Sequence, residues 1–164
     1  MTLGALVTYC WQDASDAPLI HHSRLSPLIA DPAVVAPEQA PDGTWHLDVV
    51  SAGHPLPIHA DGATAHTLGR PGRLLGVFDD APVHLHQTRL DPGHFDVFYT
   101  DGVTDLPPPF DLGVEDFTRQ IARLHRVGRA ETIADQIEAA LVERVSDPYR
   151  ADDVALVVVR VEPD

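Results

Sequence analysis

Two aspartates lie where a predicted strand meets a turn, and carboxylates in such positions can bind a metal ion. Asp101 follows the aromatic run 95–100 and precedes Gly102, which has no side chain to hinder a sharp turn. Asp152 precedes the apolar run that starts at Val154. If the two strand ends are neighbours, the carboxylates converge, and such hard oxygen ligands suit Mg²⁺ or Mn²⁺. Spacing alone leaves open the commoner alternative of a simple turn and a solvated loop.

Short strands separated by turns must position these acids. Alternating, β-branched and aromatic runs predict strands at 3–11, 45–51, 56–59, 63–68, 83–90, 95–100 and 154–161. Asp61-Gly62 lies between two of these runs and predicts a type I′ hairpin, because both residues tolerate positive φ. The last run, 154–161, is almost continuously apolar, which is typical of a central strand covered on both faces.

Two segments carry helical periodicity. Apolar residues recur three or four positions apart in 114–127 and in 130–145, with polar residues on the other face. The residues expected to face the core are Phe117, Ile121, Leu124, Ile133, Ile137 and Leu141. Strands, then two helices, then a buried strand predict an α+β domain with helices packed on a mainly antiparallel sheet.

The first 41 residues differ from the rest in composition and in hydrophobic pattern. Between Gln12 and Pro41, prolines recur too often for a helix interior or a central strand. We therefore expect residues 1–41 to be an N-terminal strand followed by a linker or insertion, with 32–37 as a candidate short edge strand. Residues 42–164 are expected to hold the folded domain.

Charge and composition exclude several classes of protein. The 164 residues include 11 Lys and Arg against 25 Asp and Glu, a net charge of −14 that repels a nucleic-acid backbone. The single cysteine, Cys10, cannot form an internal disulfide. No apolar run reaches the roughly 18 residues of a membrane-spanning helix. The sequence predicts a cytoplasmic protein with no nucleic-acid partner and no membrane segment.

Five short motifs follow one another along the chain: Ser51 to Pro57, Leu75-Gly76, Leu90 to Gly93, Tyr99 to Asp105 and Asp152 to Val154. In this order they resemble the PPM-type (protein phosphatase 2C-like) metal-dependent serine/threonine phosphatases. The bacterial branch of the stage II sporulation protein E and the sigma-factor regulatory phosphatases is the one they resemble. Each motif is weak alone, but the ordered set is specific. The resemblance spans 42–161 and implies a PPM-like layered β-sandwich flanked by helices.

The resemblance also implies roles for individual residues. The aspartate of the family's Thr-Asp-Gly motif falls on Asp101, and the first aspartate of its Asp-Asp motif falls on Asp152. Both ligate divalent metal in that family and are the implied catalytic residues, while Asp105 falls on a neighbouring, weaker metal position. The implied cofactor is Mg²⁺ or Mn²⁺, the reaction is hydrolysis of phosphoserine by an activated water, and the implied partner is a phosphoprotein such as an anti-sigma-factor antagonist.

Two motifs of active family members are missing from these 164 residues. A Gly-Asp segment and an Asp-x-Ser/Met-Gly-His/Asn-Gly segment carry the metal-bridging aspartates in that family, and neither occurs here. The Gly-Asp that usually opens the Thr-Asp-Gly strand reads Gly93-His94. The half-built site predicts either a phosphatase domain incomplete at its N-terminus or a catalytically inactive, phosphatase-like interaction module. A generic acidic domain that binds divalent cations is a third interpretation.

Overall fold

Two antiparallel sheets form the frame of the protein. The computed structural model describes residues 2–10, 28–30, 33–74, 82–106, 108–126, 128–144 and 154–162. The first sheet runs in the order β1 (Thr2–Cys10), β9 (Val154–Glu162), β8 (Phe95–Tyr99), β5 (Ile58–Ala60) and β6 (Ala65–Thr67). The second runs in the order β2 (Leu28–Ala30), β3 (Ala33–Gln39), β4 (Trp45–Ser51) and β7 (Leu85–Leu90).

The apolar strand β9 is central, as its sequence predicts. It lies between β1 and β8 and pairs with both in antiparallel register. Leu156 and Val158 belong to the core on one face of the sheet, and Val157 and Val159 belong to the core on the other face. Because both faces of β9 are covered, these residues are apolar whichever face they point to, and this part of the strand lacks the alternation of apolar and polar residues seen in a half-exposed strand.

Two helices cover one face of the first sheet. Helix α1 (Val114–Ala122) packs against β5 and β6, and α2 (Ala130–Arg144) packs against β9 and β1. The ring of Phe117 in α1 meets that of Tyr99 edge-on, with centroids 5.0 Å apart. The core residues expected from periodicity are confirmed as buried at Phe117, Ile121, Ile133, Ile137 and Leu141, and Leu124 is partly buried. No helix in this described part of the chain has the length and apolar character needed to cross a bilayer.

A second core lies between the two sheets. Leu47, Val49 and Leu90 of the second sheet meet Phe98, Val157 and Val159 of the first. Sheet, sheet and helices therefore stack in layers, which confirms the α+β sandwich that the sequence predicts.

The N-terminal segment is more structured than its prolines indicate. A loop is the wrong interpretation for 28–30 and 33–39, which form β2 and β3. The candidate edge strand at 32–37 is confirmed as a strand over 33–37, but the expectation of an edge is wrong, because β3 lies between β2 and β4. Among the described residues β2 pairs only with 33–35, so Pro37 falls beyond the paired stretch on that side, where a missing N–H is tolerated. Residues 11–27 and 31–32 lie outside the described residues, and the division after residue 41 stays a prediction.

Several boundaries also differ from those expected. The hairpin at Asp61-Gly62 is confirmed, but four residues rather than two separate β5 from β6. Gly62 has φ +97°, the amide of Asp61 donates to the carbonyl of Thr64 at 3.2 Å, and the Thr64 hydroxyl donates to the Asp61 carboxylate. These two hydrogen bonds close a longer loop. The first predicted helix ends as a 3₁₀ turn over Arg123–Arg126.

Candidate active site

The end of β8 and the beginning of β9 are joined at one rim of the first sheet. The amide of Thr100 donates to the carbonyl of Ala155 at 3.1 Å. In return, the amide of Ala155 donates to the Thr100 hydroxyl at 2.9 Å. The two strand ends are therefore neighbours, which is the condition set by the sequence for the two acids to converge, since Tyr99 pairs with Leu156 in the register of these antiparallel strands.

A tight turn carries two of the three predicted site residues. Asp101 begins the 3₁₀ turn Asp101–Val103, and its carbonyl accepts the amides of Thr104 and Asp105, each at 2.8 Å. Gly102 and Val103 within the turn are buried, whereas the side chains of Asp101 and Asp105 are exposed. The turn therefore holds two carboxylates at the surface on a backbone anchored from below.

The chain that follows this turn is hydrogen-bonded to the C-terminal end of α2. The guanidinium of Arg144 donates to the carbonyl of Phe110 from Nε and to that of Asp111 from Nη2, each at 3.1 Å. Two hydrogen bonds from one rigid fork fix both distance and direction. The loop that leads away from the acidic turn is thus held against a helix that packs on the same sheet.

The third predicted ligand, Asp152, lies outside the described residues. That Asp101 and Asp152 share one cation therefore stays a prediction. Among the residues that the structure does describe, no three His, Cys, Asp or Glu side chains form a group that could hold a metal ion. The donor chemistry of Asp101 and Asp105 nevertheless fits Mg²⁺ or Mn²⁺, because both offer hard carboxylate oxygens at the surface.

The segment 51–57, the first of the five motifs, begins at the last residue of β4 and leads to the same rim. Ile58 pairs with Val97 and Ala60 with Phe95, so the residues before Ile58 approach the end of β8 at which Asp101 lies. The backbone of this segment is fixed by close packing: the amide of Gly53 donates to the carbonyl of Gly72 at 3.0 Å, and Gly53 has φ +85°. A Cβ on Gly72 would lie 2.2 Å from the carbonyl oxygen of Ser51, so this approach requires glycine.

The match to a known family covers most of the chain. The sequence profile described as stage II sporulation protein E (SpoIIE) matches residues 39–162. The chain belongs to the SpoIIE family. The strand-end motifs on β8 and before β9 both fall inside the matched range, so family membership and rim geometry concern the same part of the fold.

Individual relatives agree with this assignment. Protein IcfG of Synechocystis is 30% identical over 118 residues, which cover 70% of this chain and 18% of that protein. The chain thus spans about a fifth of the length of this curated relative. The SpoIIE phosphatase domain of Bacillus subtilis, in a crystal form without domain swapping, superposes with a TM-score of 0.67 at 11% identity, over 99% of this chain and 93% of that one. The SiaA-PP2C domain of Pseudomonas aeruginosa superposes at 0.57 with 20% identity, over 73% and 53%. At these identities, the structural matches establish the fold.

One buried polar pair was missed by the sequence reasoning. His59 Nδ1 lies 2.6 Å from Asp96 Oδ1, and both side chains are buried. The signal was present, because Asp96 interrupts the aromatic and apolar run of β8 at a position that faces the core between the sheets. A charged residue at such a position needs a partner, and the partner comes from a different strand.

Proposed function

We propose that the protein is the phosphatase domain of a metal-dependent serine/threonine protein phosphatase. The observation that supports this most directly is the pair of hydrogen bonds between Thr100 and Ala155 at the rim. In a SpoIIE-family chain, that joint holds Asp101 directly after β8, and Asp152 precedes β9 by two residues in the sequence.

Each acid has a distinct part in the proposal. Asp101 and Asp152 hold one Mg²⁺ or Mn²⁺, and Asp105 contributes to a weaker neighbouring position. Carboxylates brought together repel one another unless a cation lies between them, so the rim favours cation binding. A bound cation supplies two things to phosphoryl transfer, charge compensation for the phosphoryl oxygens and an activated water. Thr100 is a positioning residue, since its hydroxyl fixes the strand end that presents Asp101.

The proposed substrate is a phosphoserine in a bacterial regulatory phosphoprotein, such as an anti-sigma-factor antagonist, in the cytoplasm. Family membership supports this class of substrate. The net charge of −14 opposes a nucleic-acid partner.

A second function is favoured by a different observation. The two aspartate motifs that bridge the metals in active relatives do not occur in these 164 residues. With Asp101, Asp105 and Asp152 alone, we expect at most one weakly held cation, because Mg²⁺ keeps its waters unless a shaped site replaces them. A phosphatase-like module that binds a regulatory protein without hydrolysing it fits the same fold.

Hydrolysis of a phosphoserine peptide in millimolar Mn²⁺ distinguishes the two functions. We expect little turnover by the 164-residue chain and strong turnover by an N-terminally extended chain that carries the family's two missing motifs. Asp101→Asn should abolish that turnover, whereas Asp111→Asn, an exposed acid of the next loop, should not.

Other outcomes have equally definite meanings. An extended chain that stays inactive but binds a phosphoprotein establishes the interaction module. Strong turnover by the 164-residue chain that is lost in Asp101→Asn would contradict the half-site argument and require another acid of this chain, with Asp13 and Asp16 as the first to test.

A further inference from the structure

A row of polar side chains crosses the first sheet at the end opposite the acidic rim. His66 of β6 pairs with His59 of β5, which pairs with Asp96 of β8, which pairs with Val159 of β9. Directly paired residues of antiparallel strands project from the same face. Val159 belongs to the core between the sheets. The row therefore lies on the face of the first sheet that faces this core, and it begins at the edge strand β6.

The central pair of this row is buried and short. Asp96 is 0% exposed and His59 is 6% exposed, and their Nδ1 and Oδ1 atoms lie 2.6 Å apart. The rings of His66 and His94 each meet that of His59 edge-on, with centroids 5.4 and 5.5 Å away. Within the described residues, Asp96 Oδ2 and His94 Nδ1 are also buried with no hydrogen-bond partner. A buried carboxylate oxygen with no donor is costly unless a proton or positive charge is held nearby.

The other titratable groups that act on this pair lie on β6 and in the two loops beside it. The charges of Asp61 in the β5–β6 loop and of Asp91 before β8 raise the pKa of His59. The charges of His66 and His94 lower the pKa of Asp96. The second sheet contributes apolar residues to the adjoining core. Helix α1 packs on the opposite face through Phe117 and Ile121. The histidines and these acids therefore set the electrostatics of the pair.

We propose that His59, Asp96, His66 and His94 form a proton-dependent latch that fastens the β5–β6 hairpin to β8 and loosens as the pH rises above neutral. This contact is a large part of the attachment of the hairpin to β8 on the face away from α1, because β5 pairs with β8 over only three residues, 58–60 with 95–97. One of these three pairs is His59 with Asp96. Loss of the shared proton leaves a buried carboxylate beside a neutral imidazole, and the latch weakens.

The direction of the pH effect follows from proton uptake. Burial lowers the pKa of His59, but the hydrogen bond and charge of Asp96 outweigh burial and raise it above the ordinary 6.5. Burial raises the pKa of Asp96, against the opposing influence of His59. Both shifts mean that the folded pair holds a proton that the unfolded chain has released. The part of the stabilisation that comes from His59 is fully present below pH 6.5 and is lost as the pH rises through the folded pKa of this residue. The part that comes from the raised pKa of Asp96 is fully present only below 3.8 and is lost as the pH rises through the folded pKa of that carboxyl.

Urea unfolding between pH 6 and 9 tests the latch. One proton taken up on folding raises the unfolding equilibrium constant by up to about tenfold for each pH unit. We expect this rise in the wild-type chain and a clearly shallower one in His59→Gln/Asp96→Asn, which keeps polar side chains of similar size without the titrating pair. His84→Gln, an exposed histidine outside the row, should retain the wild-type slope. Equal slopes in the wild type and the double variant would overturn the proposal.

A second measurement needs no variant. Nitrogen-15 NMR of the imidazoles in the wild-type chain should show His59 titrating with a midpoint above 6.5. Amide-exchange protection of 58–60 and 65–67, corrected for the intrinsic exchange rate, should fall over the same pH range before that of β4. A His59 midpoint at or below 6.5, or uniform loss of protection in both sheets, would contradict a local latch.

Discussion

The two ends of β8 hold aspartates in opposite environments. Near the start of the strand, Asp96 is fully buried and hydrogen-bonded to His59. Just beyond its end, Asp101 is exposed on a 3₁₀ turn whose backbone is anchored to β9 through Thr100. The carboxylate of Asp96 is removed from water and hydrogen-bonds to His59, whereas the oxygens of Asp101 remain accessible to a ligand. Burial, more than residue type, separates the structural acid from the candidate functional one.

Replacing each aspartate by alanine should give the largest difference. Asp96→Ala leaves His59 buried without its partner, and removing one member of a buried pair costs about 3–5 kcal/mol of unfolding free energy. Asp101→Ala removes an exposed side chain and should change stability by less than about 0.5 kcal/mol. Urea unfolding of both variants measures the contrast, and similar losses would show that the two acids are not in different environments.

Truncation beneath the sheet should have the next largest effect. Ile137 of α2 is buried in the core that supports β8 and β9 from the helical face. Ile137→Ala should cost about 2–5 kcal/mol, as for other buried aliphatic truncations. Val142→Ala on the same helix is the matched control, because that side chain is 47% exposed. A loss below about 1 kcal/mol at Ile137 would mean that this face of α2 does not carry the sheet.

Among the substitutions that remove an internal contact, the one at Thr100 is expected to have the smallest effect on stability. Thr100→Val keeps the shape of the side chain but removes the hydroxyl that accepts the Ala155 amide. We expect a loss of about 0.5–1.5 kcal/mol, the net worth of one hydrogen bond, with a disproportionate loss of turnover in the extended, active chain. Thr100→Ser retains the hydroxyl and should retain activity. If Thr100→Val kept full turnover, the joint would have no positioning role.

Periodicity and strand-end motifs predict much of this fold, but not all of it. The central position of β9 and the buried faces of α1 and α2 follow from local patterns, because each pattern reflects burial of the residue that carries it. The strand at 33–39 was predicted only in part, as a candidate at 32–37, because it contains Pro37 and local propensity cannot reveal that β4 lies alongside it.

The buried acid of β8 and the exposed acid just beyond its end also differ in how far the sequence predicts them. Spacing alone left open whether the strand ends beside Asp101 and Asp152 are neighbours, and the structure shows that the end of β8 and the start of β9 lie together. The His59–Asp96 pair joins residues 37 positions apart on different strands. Its existence depends on the register between β5 and β8, which a sequence pattern does not specify.

Paramagnetic NMR with Mn²⁺ tests most directly whether the acid at the end of β8 is the functional one. In the 164-residue chain, low Mn²⁺ concentrations should broaden the amide signals of 100–105 first and those of 94–97 later, and Asp101→Asn/Asp105→Asn should remove the early broadening. Early broadening around His59 and Asp96, or equal broadening over the whole acidic surface in the wild type and the double variant, would contradict a cation site at the Asp101 rim.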